Sequence, residues 1–419
     1  ILLFFIILFG VSYFTINKIK IKTLKVKIEN ILNWETGSTA ARIDFWSAAL
    51  NAIKKRPIFG YGIETQQEVL VKYYEPGWAV HSNINVRPSR AHNIILDTWL
   101  TTGIIGVILF LTIYFYILRA IIVNIKAGRE KALNYCILFS LTSYFIYLQF
   151  NFWHVTAWIY FVVYSAIVIN TKQKLNIQSK LQTLTPKFLI LNFSFLIIIF
   201  LALSGSIVLI RGEFTKYLND HYWWEIRRSR MHKQYFSAIK MYEFIKKNQP
   251  RHSHYDQLFS ILMTDWLKEF FSLDFRSFGE EKLKEALPQM PTYTFNEKRT
   301  KAKVLVTLGD YDINYFNQAE VIYQELVKFS PNFPLIDREY AYMLAKSGQF
   351  EHAKAQYQQT LSILPSLDVK GLNRLHEARL KSEISLNYQG LIAIYEELGD
   401  IENVNKYKKL LVELETIKN

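Results

Sequence analysis

Arg42-Ile-Asp-Phe-Trp46, Arg56-Pro57 and Gly60-Tyr-Gly62 follow one another. Arg87-Pro-Ser-Arg90-Ala-His92-Asn93 then runs directly into an apolar helix bearing Gly103 and Gly106. The quoted segments therefore place four arginines and one histidine just before a membrane segment. Guanidinium groups bind phosphate through two parallel hydrogen bonds, and an imidazole changes charge near neutral pH. Together they suit an anionic donor and a hydroxyl that must lose its proton. Gly37-Ser38-Thr39 offers a cap for a helix over 40–55. Ile43, Trp46, Leu50 and Ile53 form its expected apolar face, and Pro57 stops it.

Outward from this stretch the chain divides in two. Of its 419 residues half are hydrophobic and 16% aromatic, a share that fits membrane interfaces. The formal net charge is +14, unevenly spread: residues 1–210 carry 20 Lys and Arg against 8 Asp and Glu, residues 211–419 carry 30 against 28. The basic excess thus belongs to the apolar half, where lipid phosphates can meet it. No basic patch stands out on the second half, which argues against a nucleic-acid partner. Cys136 is the sole cysteine and sits in an apolar run. A disulfide framework and a cysteine metal site are both excluded, and the thiol is expected to be buried. Ile1 opens inside an apolar run without a charged leader, so the sequence reads as the C-terminal part of a longer membrane protein.

The apolar half, 1–210, is expected to be a membrane domain. Ile1 to Phe14 reads as the tail of a membrane helix, and the lysines at 18, 20, 22, 25 and 27 as an interfacial segment on headgroups. Residues 63–91 are expected to be irregular and polar. Ile94–Val123 is long enough to cross a bilayer. Asp97 in its first turn suits the helix dipole, and Gly103 and Gly106 suit close helix packing. Ala132–Phe150 and Val155–Asn170 read as a membrane hairpin around Asn151–His154, and Phe188–Ile210 as a last crossing. The short loops 124–131 and 171–187 are basic and so cytoplasmic. By alternation the loop over 17–93, and everything after Arg211, lie outside.

Residues 211–419 have a different character, with a 34-residue repeat. Ala319, Tyr323, Leu326 and Pro331 recur as Ala353, Tyr357, Thr360 and Pro365. An earlier copy ends Tyr235, Ala238, Tyr242, Pro250, and a degenerate last one spans 388–415. Residues 253–299 are expected to be helical with a poor fit to the repeat. The fold class is therefore all-α: polytopic membrane helices followed by a soluble solenoid of tetratricopeptide-like repeats.

The Arg42 to Trp46 helix, the Pro57 to Gly62 turn, and His92-Asn93 followed by Gly103 and Gly106 resemble the O-antigen ligase family of bacterial membrane glycosyltransferases. That family includes lipopolysaccharide ligases, polysaccharide polymerases and protein O-oligosaccharyltransferases. The resemblance implies metal-independent, inverting transfer of a glycan from an undecaprenyl-pyrophosphate carrier to an acceptor hydroxyl on the outer face of the inner membrane. It makes His92 the general base and Arg42 the pyrophosphate ligand, with Arg90 and Arg87 as further donor ligands. No cofactor is implied. Lipid A core, polysaccharide and protein remain open as acceptors, and the repeats are expected to hold an acceptor or a partner protein. From the residues alone His92 could instead cap the membrane helix, Arg42 could snorkel, and Arg56 beside Pro57 reads as structural. A non-catalytic, membrane-anchored repeat scaffold for envelope assembly is the alternative function.

Overall fold

The computed structural model describes residues 37–151, 155–171, 234–248, 259–265, 273–369 and 371–416, with single positions at 221, 223–226, 228 and 267. The expected helix over 1–14, the lysine segment, the Asn151–His154 turn beyond Asn151, the 171–187 loop past Thr171 and the last crossing lie outside these residues. No strand occurs among the described residues, whose regular structure is all-helical. The helices are α1 Gly37–Ile53, α2 Gln66–Lys72, α3 Trp78–His81, α4 Ile94–Lys126, α5 Lys131–Leu148, α6 Val155–Thr171 and α7 Tyr235–Asn248. They continue as α8 Leu273–Ala286, α9 Phe295–Gly309, α10 Asn314–Phe329, α11 Pro334–Lys346, α12 Phe350–Ile363, α13 Arg374–Glu397 and α14 Ile401–Thr416. They fall into two compact units. One holds residues up to Leu118, Tyr135–Val162 and Val327 onward; the other holds Arg119–Asn134 and Val163–Leu326.

In the first unit, α1 buries Ala40, Ala41, Phe45, Ala48, Ala49, Ala52 and Ile53. Ile43 and Leu50, expected on its apolar face, are exposed. The alanine side wins because small side chains let α2 and α3 come close to the helix backbone. The 63–91 stretch is accordingly not irregular: α2 and α3 lie within it, and Leu70, Val71, Tyr74, Trp78, Ala79 and Val80 are buried. Apolar residues scattered between polar ones gave no run long enough to read as a helix.

Helix α4 is the one described helix long and apolar enough to cross a membrane; the apolar part of α6, Ala157–Ile169, is shorter. It is not one continuous helix. Gly103 has φ 70° and ψ −173°, so the backbone breaks there. On α5, Cys136 is exposed rather than buried, because the ring of Tyr114 takes the packed side of that helix. Tyr114 donates its hydroxyl to the Leu141 carbonyl at 2.7 Å and lies 4.7 Å from the Phe145 ring.

Also in this unit, α11 with α12 and α13 with α14 form helical hairpins. Gly348 (φ 79°) and Gly399 (φ 70°) make the turns. Ala353, Tyr357 and Thr360 are buried along α12. Gly390 on α13 leaves room for the Tyr357 ring, which a Cβ there would meet at 2.3 Å.

The second unit packs Ile226, Ile239, Ile245, Met263, Leu283 and Val304 into one core. Thr294 starts α9 with a capping box: its hydroxyl accepts the Glu297 N–H, and Glu297 accepts the Thr294 N–H in return. Gly309 accommodates the Phe316 ring, and Ala319, Tyr323 and Leu326 are buried along α10. One 34-residue period thus returns the same three positions to a buried face. Ala353→Leu should therefore overpack α12 and cost about 1–3 kcal/mol. Thermal unfolding of the detergent-solubilised chain reads this directly, and an unchanged midpoint would show that the position has spare room.

Candidate functional site

The site is built on the break in α4. The turn after Pro57 lays its backbone against that break. Tyr61 N–H donates to the Leu100 carbonyl at 2.8 Å, and Gly62 N–H to Thr101 at 2.9 Å. Ile104 N–H returns to the Pro57 carbonyl at 2.9 Å, which also accepts the Trp99 indole N–H at 2.9 Å. The groups that a helix break leaves unpaired are thereby satisfied. Contact is too close for side chains: a Cβ on Gly103 would lie 1.9 Å from the Ile58 carbonyl oxygen, and one on Gly60 2.7 Å from the Gly103 nitrogen. Gly103 therefore seats a turn and does not pack against a second helix. Gly106 serves Thr102, whose hydroxyl a Cβ there would meet at 1.8 Å. Arg56 stacks over the Tyr61 ring at 4.9 Å, which is a structural role.

Below the break, the first turn of α4 organises the Arg87–Asn93 loop. The buried Asp97 accepts the Ala91 N–H at 2.7 Å, and its carboxylate also faces the N–H groups of His92 and Asn93. Asn93 caps α4, its side-chain oxygen accepting Ile95 N–H at 3.0 Å and Leu96 N–H at 3.1 Å. Between these anchors His92 holds φ 58°, a left-handed conformation uncommon for a side-chain-bearing residue. Such backbone strain persists only where the surroundings enforce it, and here Asp97 and Asn93 do so.

This conformation brings His92 to α1. Its ring lies 6.4 Å from that of Phe45, one turn from Arg42. Burial, and then the Arg42 charge, hold the His92 pKa below the ordinary imidazole value of 6.5. Arg42 reaches back with one Nη to the Ser38 carbonyl and hydroxyl, both at 3.4 Å. Its Nε is buried without a hydrogen-bond partner. A buried N–H left unsatisfied calls for a partner, and an anionic oxygen is one that a guanidinium takes.

The structure thus brings Arg42 and His92 together. Arg90 turns instead to Glu64, pairing with it at 2.8 Å. Arg87 receives the Gln67 side-chain amide on its carbonyl at 3.4 Å. Sequence reading missed one pair: His81 on α3 donates Nδ1–H to Asp44 on α1 at 2.9 Å. Burial raises the Asp44 pKa, while the hydrogen bond and charge of His81 pull it back. Thirty-seven residues separate the two, and no local pattern signals such a contact. Asp97 was visible as a first-turn acid; its grip on the His92 loop was not.

Comparison with known proteins adds the following. A family model described as O-Antigen ligase matches residues 1–111. A protein of Rickettsia felis named "Putative polysaccharide ligase" is 32% identical over 127 residues, which cover 28% of each chain. A protein of Rickettsia prowazekii that is also named a "Putative polysaccharide ligase" is 34% identical over 131 residues, 29% of each chain. An uncharacterized protein of Haemophilus influenzae is 30% identical over 105 residues, 24% of this chain and 25% of its own. The chain spans under a third of the length of these relatives. Family match and relatives together make residues 1–111 similar to the O-antigen ligase family.

Proposed function

We propose that this chain belongs to a glycan ligase that moves a sugar chain from an undecaprenyl-pyrophosphate carrier to an acceptor hydroxyl, on the outer face of a bacterial inner membrane. The observation that carries the reading is the Arg42–His92 pair, with its unsatisfied, buried guanidinium edge. The acceptor O–H gives its proton to the neutral His92 imidazole, and its oxygen attacks the anomeric carbon. The bond from that carbon to the phosphate oxygen breaks, and the electron pair leaves with the pyrophosphate. Arg42 stabilises that charge as it develops. A lowered His92 pKa keeps the imidazole unprotonated at neutral pH, the form a general base requires. Arg90 and Arg87 are assigned to the outer part of the donor, Arg90 exchanging Glu64 for phosphate.

In this reading the first half of the chain, 1–210, is a multi-pass membrane domain and 211–419 an extracytoplasmic array of tetratricopeptide-like repeats. The hairpins α11–α12 and α13–α14, and the matched buried positions on α10 and α12, support the second assignment. The array is assigned to hold the acceptor or a partner protein.

Arg42→Lys tests the donor role. Lysine keeps the charge but loses the two-pronged contact. One charge-assisted hydrogen bond is worth about 1.5–3 kcal/mol, so the donor KM should rise by roughly 10- to 100-fold. Expression should stay at the parental level. An unchanged donor KM in membranes carrying the full-length protein would remove Arg42 from the site.

A further inference from the structure

The four residues of α3 alternate between two partners. Trp78 sets its ring edge-on against Phe45 of α1 at 5.3 Å. Ala79, with Ile84, packs against Leu380 of α13 in a small buried cluster. The Val80 carbonyl lies 3.1 Å from Nδ1 of His376, also on α13, and the Asn373 side-chain amide meets the same nitrogen at 2.9 Å. His81 then returns to α1 through Asp44. One turn of helix thus has two faces. One is fixed to the helix bearing Arg42, the other to a helix nearly 300 residues further along the chain.

Neighbouring contacts make this attachment firm. Ser330 donates its hydroxyl to the Val71 carbonyl at 2.7 Å, in a buried setting. The Phe333 ring stands edge-on to Tyr74 at 4.8 Å. Glu383, itself buried, accepts the Asn85 side-chain N–H at 3.2 Å and is paired with Arg338. Polar groups buried this deeply are costly to separate, so these contacts hold the loop against the C-terminal helices. Around α1, Asp44, Phe45 and Arg42 fall in that order at 3.6 residues per turn. Phe45 lies between the Asp44–His81 contact and Arg42, and its ring also meets His92.

We infer that α3 is the link through which the C-terminal helices set the position of Arg42, with His81 and His376 as its two positioning residues. The inference rests on the donor-site reading of Arg42 above. Helices α11–α14 then bear on the transfer site, and whatever they bind is felt at the pyrophosphate seat.

The test is binding of undecaprenyl pyrophosphate to the full-length protein in nanodiscs. His81→Ala and His376→Ala should each weaken binding by about 2- to 30-fold, the range of such transmitted effects. The double variant should bind no more weakly than the worse single one, since both act through the same turn. His81→Asn, whose amide N–H can replace Nδ1–H toward Asp44, should restore binding. It also serves as the readable variant if His81→Ala does not fold. Additive losses, or failure of His81→Asn to rescue, would overturn the inference. Parental binding by His81→Ala and His376→Ala alongside weakened Arg42→Lys would sink the link and leave the donor site standing. Parental binding by Arg42→Lys would remove the donor site, and the link with it.

Discussion

His92→Ala should lower glycan transfer by roughly 10²–10⁴-fold, the scale of losing a positioned general base, while undecaprenyl pyrophosphate binding stays near the parental value. In the proposed reaction Arg42 holds the pyrophosphate while His92, set against Phe45, takes the proton, so the two steps fail separately. The parental pH profile carries a second expectation. The His92 pKa lies below 6.5 because burial and the Arg42 charge both disfavour the imidazolium. The active, neutral form therefore persists as pH falls through 6.5, and transfer declines only below that value. In Arg42→Lys the charge remains, so this decline should stay below 6.5 even as donor use weakens. Transfer by His92→Ala at the parental rate would end the catalytic reading and leave the membrane-anchored scaffold in its place. Transfer that already declines as pH drops from 7.5 to 6.5 would contradict the environment of His92 described above.

Gly103→Ala should be the most damaging single methyl in the chain. The backbone there, φ 70° and ψ −173°, is open to glycine and little else, which alone costs on the order of 1–3 kcal/mol. The added carbon would also lie 1.9 Å from the Ile58 carbonyl oxygen. It must push off the Pro57–Gly62 turn, and with it the hydrogen bonds from Tyr61, Gly62 and Ile104. Gly106→Ala is no neutral control, because its new Cβ would lie 2.5 Å from the Thr102 Cβ, which side-chain rotation cannot move. Gly77→Ala is the matched control, with nothing within 4 Å of its new Cβ and a φ of −55° that suits any residue. Gly103→Ala should therefore lose folded protein or several degrees of melting temperature in detergent, and Gly77→Ala much less. Equal behaviour of Gly103→Ala and Gly77→Ala would mean that the turn and the helix break are not coupled.

Gly103 and Gly106 show where sequence reading stops. Both lie in an apolar run at helical spacing, and from that run alone each looks like a small surface for a neighbouring helix. Only the tertiary structure separates them, because the partner of Gly103 is a turn 43 residues earlier, at Gly60. The alanines of α1 make the same point. Ile43 and Leu50 are the more hydrophobic, yet the alanine face is buried, since it alone admits α2 and α3 closely enough.

What the sequence by itself determined is what repeats locally. Helical period and apolar length are set by neighbours three or four residues away, so α4, α10 and α12 were legible as helices. So were the positions 34 residues apart at Ala319 and Ala353 and at Tyr323 and Tyr357, each of which is buried. The Arg42 and His92 candidates were legible as chemistry: few residue types can hold a pyrophosphate or take a hydroxyl proton near neutral pH. Tertiary structure decided which arginine stands beside the histidine, that Arg90 faces Glu64, and that His81 holds Asp44. It also decided that helices from the far end of the chain grip the loop between α2 and α4. Such pairings are fixed by burial and hydrogen-bond satisfaction between segments tens to hundreds of residues apart, and no short-range pattern encodes them.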